Sequence, residues 1–260
     1  MLDILRADGF GDDRIAHGFT TRTGGISTGP YASLNLSWSR GDDKAAVEAN
    51  RARVSQAFGG ARLVFANQIH GATVLKVDAA PEGWSAGEGD ALITNQPGLA
   101  LCAQTADCTP VLLYDAENAA IAAIHAGWRG VIAGVIPAAI SAMSQAYGSR
   151  PEALQAVIGP AVAPENYRVG PEVLEQFETM FGPLDDGLAL PRDSEGGAGL
   201  NVSEGARRQL LRAGVPEDAI EWLKACTFAD EDRFFSCRRA ARDGHAGHFG
   251  GQCGVIALKA

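Results

Sequence analysis

The sequence lacks the features of secreted, membrane-spanning and nucleic-acid-binding proteins. Only five of its 260 residues are cysteine, and they are scattered without a CxxC pair, which excludes a dense disulfide scaffold. No apolar run approaches the roughly 20 residues that a membrane-spanning helix needs. Acidic residues outnumber basic ones by 31 to 22 and no basic stripe is present, so a nucleic-acid partner is not expected.

The amino terminus does not resemble an export signal. Residues 1–10 have no continuous apolar core, and they include Asp3 and Asp8. We therefore predict a cytoplasmic protein with no membrane partner.

Helix and strand patterns alternate along the chain. Asp42 or Asp43 is predicted to cap a helix that ends near Phe58, and Pro171 to begin another. A helix is also expected over 131–147, where Pro137 implies a kink or a later start.

Apolar segments at 99–104, 111–114 and 119–125 predict three strands in the centre of the chain. A short polar loop joins the last two, so they form a hairpin and their sheet is not purely parallel. Another strand is expected over 234–237. Together these patterns predict one α/β domain over residues 1–260, built on mixed sheets.

The central hairpin brings Cys108 and His125 together. Both residues lie equally far from the centre of the predicted loop 115–118. A four-residue loop without a bulge would set them directly opposite each other, with Cβ atoms roughly 4.5–5.5 Å apart. A slip of one residue would turn one of them to the other face. The predicted arrangement suits either a shared metal ion or a Cys–His catalytic dyad.

His70, at the end of a strand-like run, is a third candidate ligand. Two imidazoles and one thiolate leave one position of a zinc ion open, as in catalytic zinc sites. The residue spacing is not specific, however, and a buried structural thiol with polar strand-end histidines is the alternative.

Three segments resemble the signature segments of a known family. They are NQIHG (67–71), TADCTPVLL (105–113) and IHAGWRG (124–130), and further matches lie at 17–37, 89–94, 158–170 and 233–240. The family is the YfiH family, whose members are called multicopper polyphenol oxidoreductase laccases or peptidoglycan editing factors. They are now regarded as purine nucleoside phosphorylases.

The resemblance implies both a fold and an activity. The fold would be a layered YfiH-like α/β sandwich with mixed sheets and helices outside. His70, Cys108 and His125 match the metal ligands of the family and would hold zinc at the catalytic site. The implied activities are phosphorolysis of adenosine, inosine, guanosine and S-methyl-5′-thioadenosine, together with deamination of adenosine.

Four further residues are candidates for the reaction. Arg22, beside a glycine turn, and Arg129, after His125, could bind the phosphate oxyanion. Gln68 and Asp107 flank two of the ligands and could bind the base or ribose, or orient a ligand. Asp107 could also protonate the leaving purine.

Copper is possible but less favoured than zinc. A His₂Cys set also occurs in blue copper sites, usually with an axial methionine, and none of the three methionines lies in these segments. Five histidines are too few for a trinuclear cluster beside a blue copper site. The H-x-E and P-C-x-x-C motifs of known base deaminases are also absent, so deamination would need another arrangement.

Two other functions remain open. One is a metal-independent Cys–His hydrolase that acts on peptidoglycan precursors, and the other is a non-catalytic protein that binds a metal or a nucleoside. Residues 238–252 depart from the family pattern and add His245 and His248, so the role of this end in substrate binding is open.

Overall fold

The computed structural model describes residues 1–259, which form fourteen strands and six α-helices. The strands are β1 (Ile4–Leu5), β2 (Ile15–Thr20), β3 (Arg62–Asn67), β4 (Val74–Lys76), β5 (Ser85–Glu88), β6 (Ala91–Thr94), β7 (Leu99–Thr105), β8 (Thr109–Asp115), β9 (Ala120–Ala126), β10 (Leu154–Ile158), β11 (Arg168–Val169), β12 (Ala198–Gly199), β13 (Ile220–Trp222) and β14 (Gln252–Leu258). The α-helices are α1 (Lys44–Ala57), α2 (Trp128–Ala133), α3 (Val135–Tyr147), α4 (Pro171–Phe181), α5 (Val202–Arg212) and α6 (Cys237–Arg242).

Most strands belong to two six-stranded mixed sheets. The first has the order β1-β2-β14-β7-β3-β5, and the second has the order β13-β10-β8-β9-β6-β4. β3 pairs in parallel with β7, whereas β8 and β9 form the antiparallel hairpin. β11 and β12 form a separate two-stranded ribbon.

The two sheets pack face to face, with α1 on the outer side of the first sheet and α2 to α5 on the outer side of the second. Leu101 and Ile256 of the first sheet meet Leu112 and Ile121 of the second in one buried cluster. On the outer side of the second sheet, a larger cluster packs helices α2 to α5 against alternate residues of the same strands. Because both faces of β8 and β9 are buried, these strands are mostly apolar.

Helix α1 covers the first sheet. Its N-cap is Asp43, whose carboxylate accepts hydrogen bonds from the backbone N–H groups of Ala45 and Ala46. Val54 and Phe58 pack against β3 and β14 in a third buried cluster. The molecule is thus a single-domain α/β sandwich with helices outside, which confirms the predicted fold class. No helix in the described chain has the length and apolarity needed to cross a membrane.

The structure confirms the expected interruption of the helix over 131–147, but it contradicts the expected strand over 234–237. The helix predicted over 131–147 is divided into α2 and α3 by Gly134, which adopts the left-handed conformation with φ 79°. Pro137 then falls in the first turn of α3, where its missing N–H is no loss. The strand predicted over 234–237 is absent, because Ser236 caps α6 by accepting a hydrogen bond from the N–H of Arg239.

Candidate metal centre and substrate cavity

His70, Cys108 and His125 converge from three parts of the chain. His70 follows β3, Cys108 precedes β8, and His125 lies in β9. One ligand atom from each residue lies within 4.8 Å of the other two. The two imidazole rings meet edge to face with centroids 4.9 Å apart. His125 is 3% exposed, whereas His70 reaches the surface, so the cluster is open on one side.

The hairpin register differs from the predicted one. β8 and β9 pair with Pro110, not Cys108, opposite His125, and the loop is 116–119. The carboxylate of Asp115 accepts hydrogen bonds from the backbone N–H groups of Glu117 and Asn118, so Asp115 ends β8 instead of entering the loop. Moving the centre of the loop by one residue shifts each residue's partner on the other strand by two positions. Side chains two positions apart on a strand point to the same face of the sheet. Cys108 therefore stays on the side of His125.

Asp90 ties two of these residues together. Its buried carboxylate accepts hydrogen bonds from the backbone N–H groups of His70 and Gly71 at 2.9 and 2.7 Å. It also accepts one from Nδ1 of His125 at 2.9 Å, which leaves Nε2 of that ring for the cluster. Asp90 is a site residue that the sequence did not predict; its signal is an acidic residue directly before the buried strand β6.

The surroundings of Cys108 favour its thiolate form. Burial alone would raise the pKa of the Cys108 thiol, but the neighbouring His125 and His70 outweigh it and lower this pKa to about 6. Burial would lower the pKa of His125, yet Cys108 and Asp90 raise it to about 9. Hydrogen bonds from His125 and Gly71 likewise overcome burial and lower the pKa of Asp90.

The backbone around the cluster is unusual in two places. His70 has φ 58° and Asp107 has φ 98°, a region that residues other than glycine seldom adopt. Such conformations persist only where surrounding contacts impose them, and they concentrate at functional sites. Here the hydrogen bonds to Asp90 impose the turn at His70.

The donor set and the space between the donors fit a metal ion. Two imidazoles and a thiolate are ordinary zinc ligands. A Cβ atom added to Gly127 would lie 3.1 Å from Sγ of Cys108 and 3.2 Å from Cδ2 of His70. Glycine at 127 therefore keeps the centre of the cluster clear.

Asp107 faces the carboxy-terminal part of the chain. Its Oδ1 accepts a hydrogen bond from the hydroxyl of Thr227, and its Oδ2 accepts one from the backbone N–H of Arg238, both at 2.7 Å. Its carbonyl oxygen also accepts from the N–H of Val162. Asp107 thus joins three segments of chain next to Cys108.

Gln68 fixes a neighbouring strand. Its amide donates a hydrogen bond to the carbonyl of Gln104 at 2.8 Å and accepts one from the N–H of Gln104 at 2.9 Å. This pair of bonds connects the His70 loop to the end of β7. Both functional atoms of the side chain are therefore engaged in positioning.

A cavity of about 930 Å³ adjoins the cluster. The three clustered residues, Gln68, Asp107 and Arg129 all line it. Its volume lies in the upper part of the range typical of small-molecule sites. Aromatic walls are supplied by Trp38, Phe65 and Trp84.

Arg22 does not line the cavity. Its guanidinium donates hydrogen bonds to the carbonyls of Ala32 and Glu231 and lies 4.8 Å from the ring centroid of Phe235. These contacts join the amino-terminal turn to the segment before α6. This position does not support the prediction that Arg22 binds phosphate.

The divergent segment 238–252 contributes to the cavity wall. Cys237 and Arg238 begin α6 at one side of the cavity, and Phe249 to Gly251 line another side. His248 contacts the hydroxyl of Tyr31 through Nδ1 at 3.2 Å. His245 and His248 are both exposed and lie outside the metal-ligand cluster.

Comparison with known proteins identifies the relatives of the chain. Residues 16–259 match the family model of the multi-copper polyphenol oxidoreductase laccases. A purine nucleoside phosphorylase of Deinococcus radiodurans is 40% identical over 260 residues, covering 99% of this chain and 93% of that protein. One of Bacteroides thetaiotaomicron is 36% identical over 234 residues, covering 86% of each.

Solved structures give the same result. The crystal structure of YlmD from Geobacillus stearothermophilus superposes with a TM-score of 0.88 at 31% identity, covering 98% of this chain and 94% of that one. That of the Bacillus licheniformis protein YfiH has a TM-score of 0.87 at 32% identity, covering 95% and 94%. The resemblance seen in the sequence is confirmed: this chain belongs to the laccase-like YfiH family.

Proposed function

We propose that the protein is a zinc-dependent purine nucleoside phosphorylase. Its substrates would include adenosine, inosine, guanosine and S-methyl-5′-thioadenosine, and it would also deaminate adenosine. The observation that carries this proposal is the cluster of His70, Cys108 and His125 at the wall of a cavity with room for a nucleoside and a phosphate ion. The names of the relatives from Deinococcus and Bacteroides support it.

His70, Cys108 and His125 would hold the metal ion. Zinc supplies a Lewis acid to the reacting group when bound. Asp90 holds His125 in the orientation that presents Nε2 to the cluster, and it holds the His70 loop in place through the backbone. The thiolate of Cys108 suits zinc, for which thiolate is an ordinary ligand.

The remaining residues would bind and position the substrates. Arg129 lies on the cavity wall, where its guanidinium can bind the phosphate ion. Gln68 and Asp107 keep the cavity wall in place through the hydrogen bonds described above. For Asp107 to protonate a leaving purine, its carboxyl group would have to give up the bond with Thr227 or Arg238.

Copper remains the less favoured metal. A blue copper site would need a weak axial ligand, usually methionine, near the thiolate. Met143 and Met180 instead pack in the helical layer outside the second sheet. Neither methionine lines the cavity.

The test is a nucleoside panel run with and without inorganic phosphate, with products separated by chromatography. Wild-type protein loaded with zinc should release free base and the matching sugar 1-phosphate (5-methylthioribose 1-phosphate from S-methyl-5′-thioadenosine) only when phosphate is present. Deamination of adenosine to inosine and ammonia uses water, so it should proceed without phosphate. Alanine substitution of His70, Cys108 or His125 should remove metal and turnover together. Full turnover by the metal-free triple variant would refute the proposal.

A metal-independent Cys–His hydrolase is the second candidate. The lowered pKa of Cys108 beside His125 favours it, since a thiolate–imidazolium pair is also the form of a nucleophilic dyad. His70, the third donor in the cluster, has no role in such a dyad. Alkylation of Cys108 by iodoacetamide should be blocked by stoichiometric zinc in a metalloenzyme, whereas a hydrolase would remain open to the reagent. Nucleoside binding without any product would instead indicate a non-catalytic protein.

We further propose that the protein works in the cytoplasm on small molecules. All five cysteines carry free thiols, as expected of a protein kept in a reducing compartment. The excess of acidic residues supports the absence of a nucleic-acid partner.

A further inference from the structure

Three arginines differ from all the others in the described chain. The guanidinium groups of Arg40, Arg129 and Arg238 neither pair with a carboxylate nor donate a hydrogen bond to a carbonyl oxygen. Every other arginine in residues 1–259 does one or the other. All three exceptions line the same cavity.

Each of these guanidinium groups lies against an aromatic ring. Arg40 is 4.2 Å from the ring centroid of Phe249, and Arg129 is 4.3 Å from that of Trp128. Arg238 is 4.4 Å from that of Tyr167. Stacking restrains a guanidinium plane while its N–H edge stays available for hydrogen bonding.

The three cations come from separate parts of the chain. Arg40 precedes α1, Arg129 lies in α2, and Arg238 lies in α6. The backbone N–H of Arg238 is bound to Asp107, the residue before Cys108, so this arginine is held beside the metal cluster. In a protein with a net charge of −9, unpaired cations gathered at one cavity indicate an anionic ligand.

We infer that Arg40, Arg129 and Arg238 together form the binding site for orthophosphate, the second substrate of phosphorolysis. The inference rests on the proposed function and adds Arg40 and Arg238 to the phosphate contact already proposed for Arg129. Guanidinium groups bind phosphate oxygens in pairs, and several of them around one cavity can share a single ion. Two of the three belong to regions, before α1 and in 238–252, that the sequence did not connect with phosphate.

The test uses zinc-loaded protein and the variants Arg40→Gln and Arg238→Gln. Rates of inosine phosphorolysis are measured against phosphate concentration and, separately, against inosine concentration. Each variant should raise the KM for phosphate by about tenfold to a hundredfold, because each removes charge-assisted hydrogen bonds. The KM for inosine should change by no more than about twofold, because the arginines are assigned to phosphate and not to the nucleoside. A general loss of fold or of metal would instead affect both substrates.

Arg53→Gln is the matched control, because the exposed guanidinium of Arg53 donates to the carbonyl of Gly24 and does not line the cavity. Its KM for phosphate should equal that of the wild type. An unchanged KM for phosphate in both test variants, or an equal rise in the KM for inosine, would overturn the inference.

A binding measurement separates this inference from the proposed function. Calorimetric titration with inorganic phosphate alone should show binding to wild type and to Arg53→Gln, and much weaker binding to Arg40→Gln and Arg238→Gln. If no nucleoside is cleaved by the wild type, the proposed function fails while this titration still decides the phosphate site. If the variants lose affinity for adenosine 5′-phosphate but keep it for inorganic phosphate, the arginines bind a phosphoryl group of the substrate, and the inference is wrong.

Discussion

Replacement of Asp90 by asparagine should weaken both the metal site and the fold. The side chain of Asp90 is fully buried and accepts hydrogen bonds from the His70 and Gly71 backbone and from Nδ1 of His125. Asparagine has nearly the same shape but only one acceptor oxygen. Its amide N–H₂ group must therefore face either Nδ1–H of His125 and the N–H of His70, which share Oδ1, or the N–H of Gly71, which is bound to Oδ2.

The expected magnitude follows from the hydrogen bonds that are lost. A hydrogen bond to a charged group contributes about 1.5–3 kcal/mol, and a buried donor left without an acceptor costs about 1–3 kcal/mol. We therefore expect Asp90→Asn to lower the free energy of unfolding of the metal-free protein by about 3 kcal/mol. Loss of the partner that orients a histidine ligand typically costs 10- to 100-fold in metal affinity. A change in that range is expected for zinc.

The assay combines urea unfolding of metal-free protein with competition for zinc against a chromophoric chelator. Asp78→Asn is the control, because Asp78 forms a surface ion pair with Lys76 and its side chain is 64% exposed. That substitution should change stability by less than about 1 kcal/mol. Zinc affinity of Asp90→Asn within about twofold of the wild type would refute the role assigned to Asp90.

Three further predictions concern space, buried polarity and pH. Gly127→Ala should leave the protein folded but greatly weaken zinc binding, because the added Cβ lies 3.1 Å from Sγ of Cys108; a wild-type zinc content after chelator washing would contradict this. Asn50→Ala should lower the free energy of unfolding by about 3 kcal/mol in urea titrations. The substitution removes a fully buried amide that binds the loop before α1 through several hydrogen bonds. A loss below about 1 kcal/mol would contradict this prediction. Burial lowers the pKa of His17 below its ordinary value of 6.5, so the unfolded chain takes up the proton more readily than the folded protein. Stability should therefore fall as the pH drops below about 6.5. His17→Gln should lessen that loss in melting curves between pH 8 and pH 5, and a pH dependence identical to that of the wild type would contradict the role assigned to His17.

The sequence predicted those helices and strands whose capping residues and apolar patterns agree with how they pack in the structure. Helix α4 begins at Pro171 as expected, because proline at a first helical position costs no hydrogen bond. The central hairpin was found, but its loop was placed one residue too early. The bonds that retain Asp115 in β8 depend on side-chain geometry, which the order of polar residues does not specify.

The site was predicted in part because its ligands lie in distinctive segments. His70, Cys108 and His125 were identified and lie together, although Cys108 does not pair directly with His125. Asp90 was not predicted, because a single carboxylate that positions other residues leaves no periodic pattern in the sequence. The arrangement of Arg40 and Arg238 depends on aromatic rings that are distant in sequence, so only the folded structure shows it.

The most direct test of the central claim is a titration of metal-free protein with zinc, in which inosine phosphorolysis is measured at each step. If one ion at His70, Cys108 and His125 supports the reaction, activity should rise in proportion to added zinc and stop increasing at one equivalent. Cys108→Ser protein should show no such rise. Phosphorolysis at the full rate before any zinc is added would contradict the account.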